Sequence, residues 1–213
     1  GIIGVGRFGK HYVRLLADFP GVQLKTSANN SKEAKKLLID PTIDCVIIAT
    51  PTTSHNELIN MAINFGKHIL VEKPMVVTVA EARSIKNALA TKQVTFMVGF
   101  QYVYNDYVRY MREIVKTGSL GKILYIFGEN LYCGPIRADV GCFMDTAAHE
   151  LSMVQYLFNP GKVLKAIGQR MNFGSLSHDD FTAATIQFEN GLVKHIVTSR
   201  FAPQKTRRLT IVG

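Results

Sequence analysis

The chain has 213 residues, 47% hydrophobic and 19% charged, which is enough apolar matter for a sizeable core and excludes an intrinsically disordered chain. No apolar run approaches the roughly 20 residues that cross a bilayer, so no membrane span is expected. The formal charge of +9 raises nucleic acid as a partner, but the basic residues are scattered except for Lys205, Arg207 and Arg208; the charge reads as a solvated basic surface that attracts an anionic cofactor or substrate, and no nucleic-acid partner is expected.

Ile2 and Ile3 read as the end of a strand that leads into Gly4-Val5-Gly6-Arg7-Phe8-Gly9, a GxGxxG motif. Gly9 to Phe19 reads as a helix with Tyr12, Val13, Leu15, Leu16 and Phe19 on its inner face, stopped by Pro20 and Gly21. A glycine motif between a strand and a helix is the context of a dinucleotide site: Gly4 allows the tight turn, Gly6 lets the backbone approach a pyrophosphate, and Gly9 lets the helix pack closely. The N–H groups at the start of that helix face the pyrophosphate, which puts Arg7 and Phe8 at the cofactor.

Val22 to Ala28 is the next strand candidate, and the residue after it is placed to read the adenosine ribose. That residue is Asn29, followed by Asn30, Ser31 and Lys32; no acid stands there, and a 2′-phosphate fits this polar, basic corner. NADP use or dual specificity is expected ahead of strict NAD use.

Further along, Ser31 to Leu38 reads as a helix and Cys45 to Ala49 as a buried strand with Cys45 a core thiol. Ser54 and Glu57 form a capping-box pattern before a helix that ends near Phe65, with Gly66 as its stop. His68 to Val71 reads as a strand, Thr78 and Glu81 as a second capping box for a helix ending near Ala90, and Val94 to Val98 as a strand. This alternation predicts a parallel α/β Rossmann domain over residues 1–99.

The second half changes character. A helix from about Asn105 to Thr117, a strand from Lys122 to Asn130 and a helix from Ala147 to Phe158 come first. Strands then run over Val163 to Arg170, Asp180 to Phe188 and Leu192 to Ser199, with Asn190-Gly191 as a hairpin turn. These predict an α+β domain with a largely antiparallel open sheet over residues 100–213, with its boundary near Phe100. The chain starts and stops inside strand-like runs, Ile2 to Ile3 and Thr210 to Gly213, so missing residues are expected at both ends and inside. Cys45, Cys133 and Cys142 form no CxxC pair, and no His, Cys and carboxylate cluster has ligand spacing, so no metal is expected. Free thiols and no visible leader point to the cytoplasm.

Two further motifs stand at the carboxyl end of a strand and at the head of a helix: Glu72-Lys73-Pro74, and Asp145-Thr146-Ala147-Ala148-His149. Together with the glycine motif, Ala49-Thr50-Pro51 followed by His55, Asp179-Asp180-Phe181 and Phe188-Glu189-Asn190-Gly191, they resemble the Gfo/Idh/MocA family over nearly the whole chain. The resemblance implies an NAD(P)-dependent dehydrogenase or reductase acting on the CH–OH group of a sugar, polyol or related cyclic alcohol. It makes Lys73, Asp145 and His149 the catalytic residues, which also touch the substrate. It adds Thr50, Pro51, His55, Glu72, Lys73 and Gln101 to the cofactor contacts Asn29, Asn30 and Lys32 read from the strand end, and puts Tyr104 and Asn105 at the substrate.

The chemistry agrees with those roles. His149 suits general base work near neutral pH, Lys73 suits holding an oxygen that gains negative charge, and Asp145 lies one helical turn from His149. Ala147 stands where the family usually has glycine, and its methyl group is expected to narrow the pocket. The family also implies a homo-dimer or homo-tetramer through the open sheet face. The remaining readings are a non-catalytic dinucleotide-binding regulator of the same fold, like the galactose-regulon repressor, and a biliverdin reductase-like enzyme.

Overall fold

The structure is a computed structural model that describes residues 1–134, 136–173 and 178–213. The chain divides into two compact units, Gly1–Gly99 and Phe100–Gly213.

The first unit carries β1 (Ile2–Ile3), α1 (Gly9–Ala17), β2 (Ser27–Ala28), α2 (Ser31–Ile39), β3 (Cys45–Ile48), α3 (His55–Asn64), β4 (His68–Val71), α4 (Val79–Ala90) and β5 (Phe96–Val98). All strand pairs in it are parallel, in the order β2-β1-β3-β4-β5. The core is almost wholly aliphatic: Ile3, Leu38, Ile48, Ile59, Ile63, Val71 and Ile85 are each nearly inaccessible. Short parallel strands of β-branched residues covered by helices bury this surface, and the ladders satisfy their backbone groups; the buried His55 and Lys67 side chains are bonded to backbone carbonyls.

Several expected boundaries move. β2 holds two residues instead of seven, because β1 offers only Ile2 and Ile3 as partners. β5 starts at Phe96, two residues late. In α1 the half-buried side chains are Tyr12, Val13 and Leu16, whereas Leu15 and Phe19 are both 58% exposed. At about 100° per residue, Leu15 lies well round the helix from the centre of that face, and Phe19 falls beyond the last turn. The Ser54–Glu57 box does not form: a 3₁₀ turn over Thr52–Ser54 has already made Ser54 helical, and its hydroxyl donates to Thr50 Oγ1 and Pro51 O. The Thr78–Glu81 box does form, with both reciprocal bonds. Cys45 is exposed at the start of β3 instead of lying in the core.

The second unit carries α5 (Asp106–Lys116), β6 (Tyr125–Cys133), α6 (Cys142–Phe158), β7 (Val163–Met171), β8 (Phe181–Phe188), β9 (Val193–Ser199) and β10 (Phe201–Val212). Its sheet runs β10-β6-β9-β8-β7, antiparallel except for the parallel β6–β9 pair. Gly191 turns the β8–β9 hairpin at φ +86. α6 packs on one face of this sheet, burying Ile126, Val154, Ile186 and Phe188. The opposite face carries Phe127, His195, Thr185 and Ile167 in one row across four strands, around an open depression. β10 is twelve residues long where only its last residues read as strand, and α6 begins at Cys142, five residues before its expected start. Among the described residues no helix is long and apolar enough to cross a membrane, and no cluster of three His, Cys, Asp or Glu is arranged to hold a metal.

Candidate active site

In the first unit the expected residues gather at the carboxyl ends of β1, β3 and β4. Each glycine of the motif is required for a different reason. Gly4 has φ +94, and a Cβ on it would press to 2.8 Å against the Ala49 carbonyl and the Thr50 side chain. A Cβ on Gly9 would overlap the Gly4 carbonyl oxygen. On Gly6 a Cβ would meet nothing within 4 Å, so this backbone faces open space that a ligand can approach. Arg7 and Phe8 are exposed beside it, at the amino terminus of α1, where Lys10 N donates to Gly6 O and His11 N to Phe8 O. These features fit a dinucleotide pyrophosphate.

The neighbouring loops are tied together by side chains. His55, which the resemblance puts at the cofactor, is 1% exposed. Its Nδ1 lies 3.0 Å from Pro74 O and 3.2 Å from Met75 O, and its Nε2 lies 3.0 Å from Thr50 O. It therefore braces the Thr50-Pro51 turn against the Glu72-Lys73-Pro74 turn, and any ligand meets those turns and not the imidazole. Glu72 is likewise committed: Tyr12 OH donates to its Oε1 at 2.6 Å and Lys73 N to its Oε2 at 3.2 Å. Burial and the Glu72 carboxylate both push the Tyr12 phenol up, so it stays a donor. Tyr12, which sequence reasoning took only as core, thus links the glycine-loop helix to the turn that bears Lys73. Lys73 itself is half-buried.

At the end of β2, Asn29 Oδ1 accepts from Val5 N at 2.9 Å, so its side chain is turned toward the glycine loop. Asn30 caps α2 by accepting from Glu33 N. The Glu33 carboxylate folds back to accept from Asn29 N and Asn30 Nδ2. Lys32 is exposed.

In the second unit, Asp145 and His149 are one turn apart on α6. Asp145 Oδ1 accepts from Arg137 Nη1 at 2.8 Å, and Arg137 also donates to both oxygens of Asp139 at 2.9 and 2.6 Å. Tyr132 OH reaches Asp145 Oδ2 at 3.4 Å, and burial with the Asp145 charge pushes that phenol up to about 12. His149 is 8% exposed, with the Tyr102 ring edge-on at 4.8 Å between centroids. Tyr102 OH accepts from Arg207 Nη1 at 2.7 Å. Sequence reasoning did not single out Arg137, Tyr132 or Tyr102; the Arg-x-Asp in the loop just before the Asp145 motif is a local trace of the charged cluster.

Asp145 is not the helix cap. Gly141 is, and the capping group comes from Asp179, whose Oδ2 accepts from Phe143 N at 2.8 Å, from Thr182 Oγ1 at 2.9 Å and from Cys142 Sγ at 3.0 Å. Ala147 is 1% exposed and lies about 160–200° round the helix from His149 and Asp145, so its methyl group fills the interior and does not narrow the side they share. Gln101 and Tyr104 are exposed on a 3₁₀ turn, and Arg109 stacks on the Tyr104 ring at 5.9 Å. Asn105 Oδ1 accepts from Tyr107 N as the cap of α5.

Residues 21–100 match the family model described as an oxidoreductase family with an NAD-binding Rossmann fold, and residues 108–213 match the model of the GFO/IDH/MocA C-terminal domain. The chain is 28% identical over 228 residues to the uncharacterized oxidoreductase YrbE of Bacillus subtilis, covering 95% of this chain and 67% of that protein. It is 27% identical to the scyllo-inositol 2-dehydrogenase (NAD(+)) of the same organism, with the same coverage. The chain thus spans about two thirds of the length of these relatives. Among solved structures, scyllo-inositol dehydrogenase from Lactobacillus casei with bound NAD(H) and scyllo-inositol superimposes with a TM-score of 0.86 at 21% identity, over 100% of this chain and 73% of that one. A putative oxidoreductase from Magnetospirillum magnetotacticum gives a TM-score of 0.86 at 29% identity, with the same coverage.

Proposed function

The chain belongs to the Gfo/Idh/MocA oxidoreductase family, with an NAD-binding Rossmann domain, and from that premise we propose that it moves hydride between a nicotinamide and a secondary hydroxyl of a sugar, polyol or related cyclic alcohol. The observation that carries this reading is the pairing of Asp145 and His149 on one side of α6, with Arg137 and Tyr132 on the carboxylate and the Tyr102 ring on the imidazole. That group offers a base and a fixed hydrogen-bond acceptor, which is what an alcohol losing a proton and a hydride requires. The inositol dehydrogenases among the relatives support the same substrate class.

The nicotinamide, when bound, supplies the hydride acceptor or donor. Gly4, Gly6, Gly9 and the α1 amino terminus with Arg7 and Phe8 hold the pyrophosphate, and Asn29, Asn30, Lys32, Thr50 and Pro51 line the rest of the cofactor site, with Glu72 setting the turn below. His149 takes the hydroxyl proton. Asp145, held by Arg137, accepts from a substrate hydroxyl and keeps the imidazole oriented. Lys73 donates to the substrate oxygen as it gains negative charge. A second copy of the chain covers the sheet face that carries Phe127 and Ile167, giving a homo-dimer or homo-tetramer.

The test is a panel of sugars and polyols with both nicotinamides, using Lys73→Ala as the control. The variant is expected to lower kcat/KM by about a hundred- to a thousandfold while binding dinucleotide as before. Dinucleotide binding without turnover across the panel would replace this reading with that of a non-catalytic regulator.

A further inference from the structure

The sequence leaves the end of β2 without an acid, and Asn29, Ser31 and Lys32 read there as a corner for a 2′-phosphate. The structure brings an acid to that corner from the helix that follows. Glu33 is the third residue of α2, and Asn30 is the cap. Glu33 N donates to Asn30 Oδ1 at 2.9 Å; in return Glu33 Oε1 accepts from Asn30 Nδ2 at 2.7 Å, and Oε2 accepts from Asn29 N at 2.8 Å. The carboxylate therefore hangs on the backbone of Asn29, the position from which a Rossmann domain reads the adenosine ribose. The Asn29 side chain does not compete for that role, because it is turned to the glycine loop and bonded to Val5 N.

We infer that Glu33 is the residue that makes this dinucleotide site prefer NAD(H) over NADP(H). The inference rests on the nicotinamide-dependent reading above. The two hydrogen bonds from Asn29 and Asn30 hold the Glu33 carboxyl below the usual range, so it is an anion at neutral pH. Each oxygen keeps acceptor capacity for a ribose hydroxyl, which NAD offers and NADP replaces with a phosphate of about −1.5 to −2 charge. Lys32 is the opposing influence. It is exposed on a long flexible stem, so fixing it on a phosphate costs side-chain entropy, whereas the carboxylate is already held by two bonds.

The experiment titrates the full-length protein with NADH and with NADPH, following nicotinamide fluorescence, for the wild type and for Glu33→Gln. Glutamine serves a capping box as glutamate does, so α2 is kept, and a thermal midpoint for each protein verifies it. The wild type is expected to bind NADH about tenfold or more tightly than NADPH, the scale of a like charge set against a phosphate at an exposed site. In Glu33→Gln the gap is expected to close to within about threefold, by tighter NADPH binding and not by weaker NADH binding, and the wild-type gap is expected to narrow as salt is raised. Equal affinities or an NADPH preference in the wild type would overturn the inference, and so would a gap that survives in Glu33→Gln; in both cases the dinucleotide reading stands. Binding of neither dinucleotide would bring down that reading and this inference with it.

Discussion

Removing the ammonium of Lys194 should unfold the second unit far more readily than its single ion pair suggests. Lys194 lies on β9 with its side chain fully buried beneath α6, and its Nζ donates to Glu150 Oε2 at 2.7 Å; the Glu150 side chain is 4% exposed. Room for the pair exists only because residue 128 is glycine, since a Cβ there would overlap both Glu150 Oε2 and Lys194 Nζ. Burial pushes the Glu150 carboxyl up and the Lys194 ammonium down, so each group alone resists ionisation and only the partner opposes that. Lys194→Met leaves a buried carboxyl without its counter-charge, at a cost of about 3–5 kcal/mol. Set against a net stability of about 5–15 kcal/mol for a typical domain, that is a large share. Lys194→Met with Glu150→Leu removes both costs at once and is expected to come within about 1 kcal/mol of the wild type, or above it. The assay is hydrogen exchange of the α6 and β9 amides across a urea series, because two units need not unfold together. A cost below about 1 kcal/mol for Lys194→Met, or a double variant less stable than either single one, would refute the reasoning.

Two further outcomes follow from the start of α6. The Asp179 carboxyl is pushed up by burial, but hydrogen bonds from Cys142, Phe143 and Thr182 outweigh this and hold it below the usual range. A carboxyl lowered in the folded state stabilises above its unfolded value, about pH 4, and loses that contribution as pH falls through the folded value. Asp179→Ala is therefore expected to cost about 1–2 kcal/mol at pH 7, the scale of a lost helix cap, with the difference from the wild type shrinking below pH 4; a cost that stays constant down to pH 2 in thermal melts would contradict the capping role. The Cys142 thiol is pushed up to about 12, chiefly by burial, whereas Cys45 and Cys133 are exposed. Iodoacetamide at pH 8 should modify Cys45 and Cys133 in the folded protein and Cys142 only in urea, as read by peptide mass spectrometry; equal labelling of all three would refute the buried start of α6.

What could be read in the sequence is what local spacing encodes. The glycine motif announces its turn because each glycine answers a local steric demand. β3 and β4 are short aliphatic runs between clear stops, and Thr78 with Glu81 closes its box within four residues. β10 was missed beyond its end because Pro203, Gln204, Lys205, Arg207 and Arg208 break any apolar alternation; an edge strand carries such residues without loss, since one side of it needs no partner. The true start of α6 was hidden for another reason: its cap is Asp179, 36 residues ahead of the N–H that it receives. Asn30 and Glu33 spell the same cap spacing as Thr78 and Glu81, so Glu33 was legible as a cap partner, but it lies on α2, beyond the strand end where a Rossmann domain carries its acid. Arg137 carries no periodic signal, and only the fold shows that its guanidinium meets Asp145.

The two units are each stabilised by different physics, and the difference bears on the proposed catalytic role of His149. The first unit relies on an aliphatic core, which is tolerant of small shifts because dispersion and the hydrophobic effect are not directional. α6 is fastened to its sheet by directional contacts: Glu150 to Lys194, the helix start to Asp179, and, just before it, Val140 O to the buried Arg200, whose Nε lies 3.6 Å from Asp180. Directional contacts fix the rotation and rise of a helix where apolar packing alone admits neighbouring settings. Glu150 directly follows His149, so whatever fixes one fixes the other. The double variant Lys194→Met with Glu150→Leu separates the two roles of that contact. If the pair serves only stability, the variant keeps its kcat along with its stability; if it sets the position of His149, kcat falls in a protein that unfolds no more easily than the wild type.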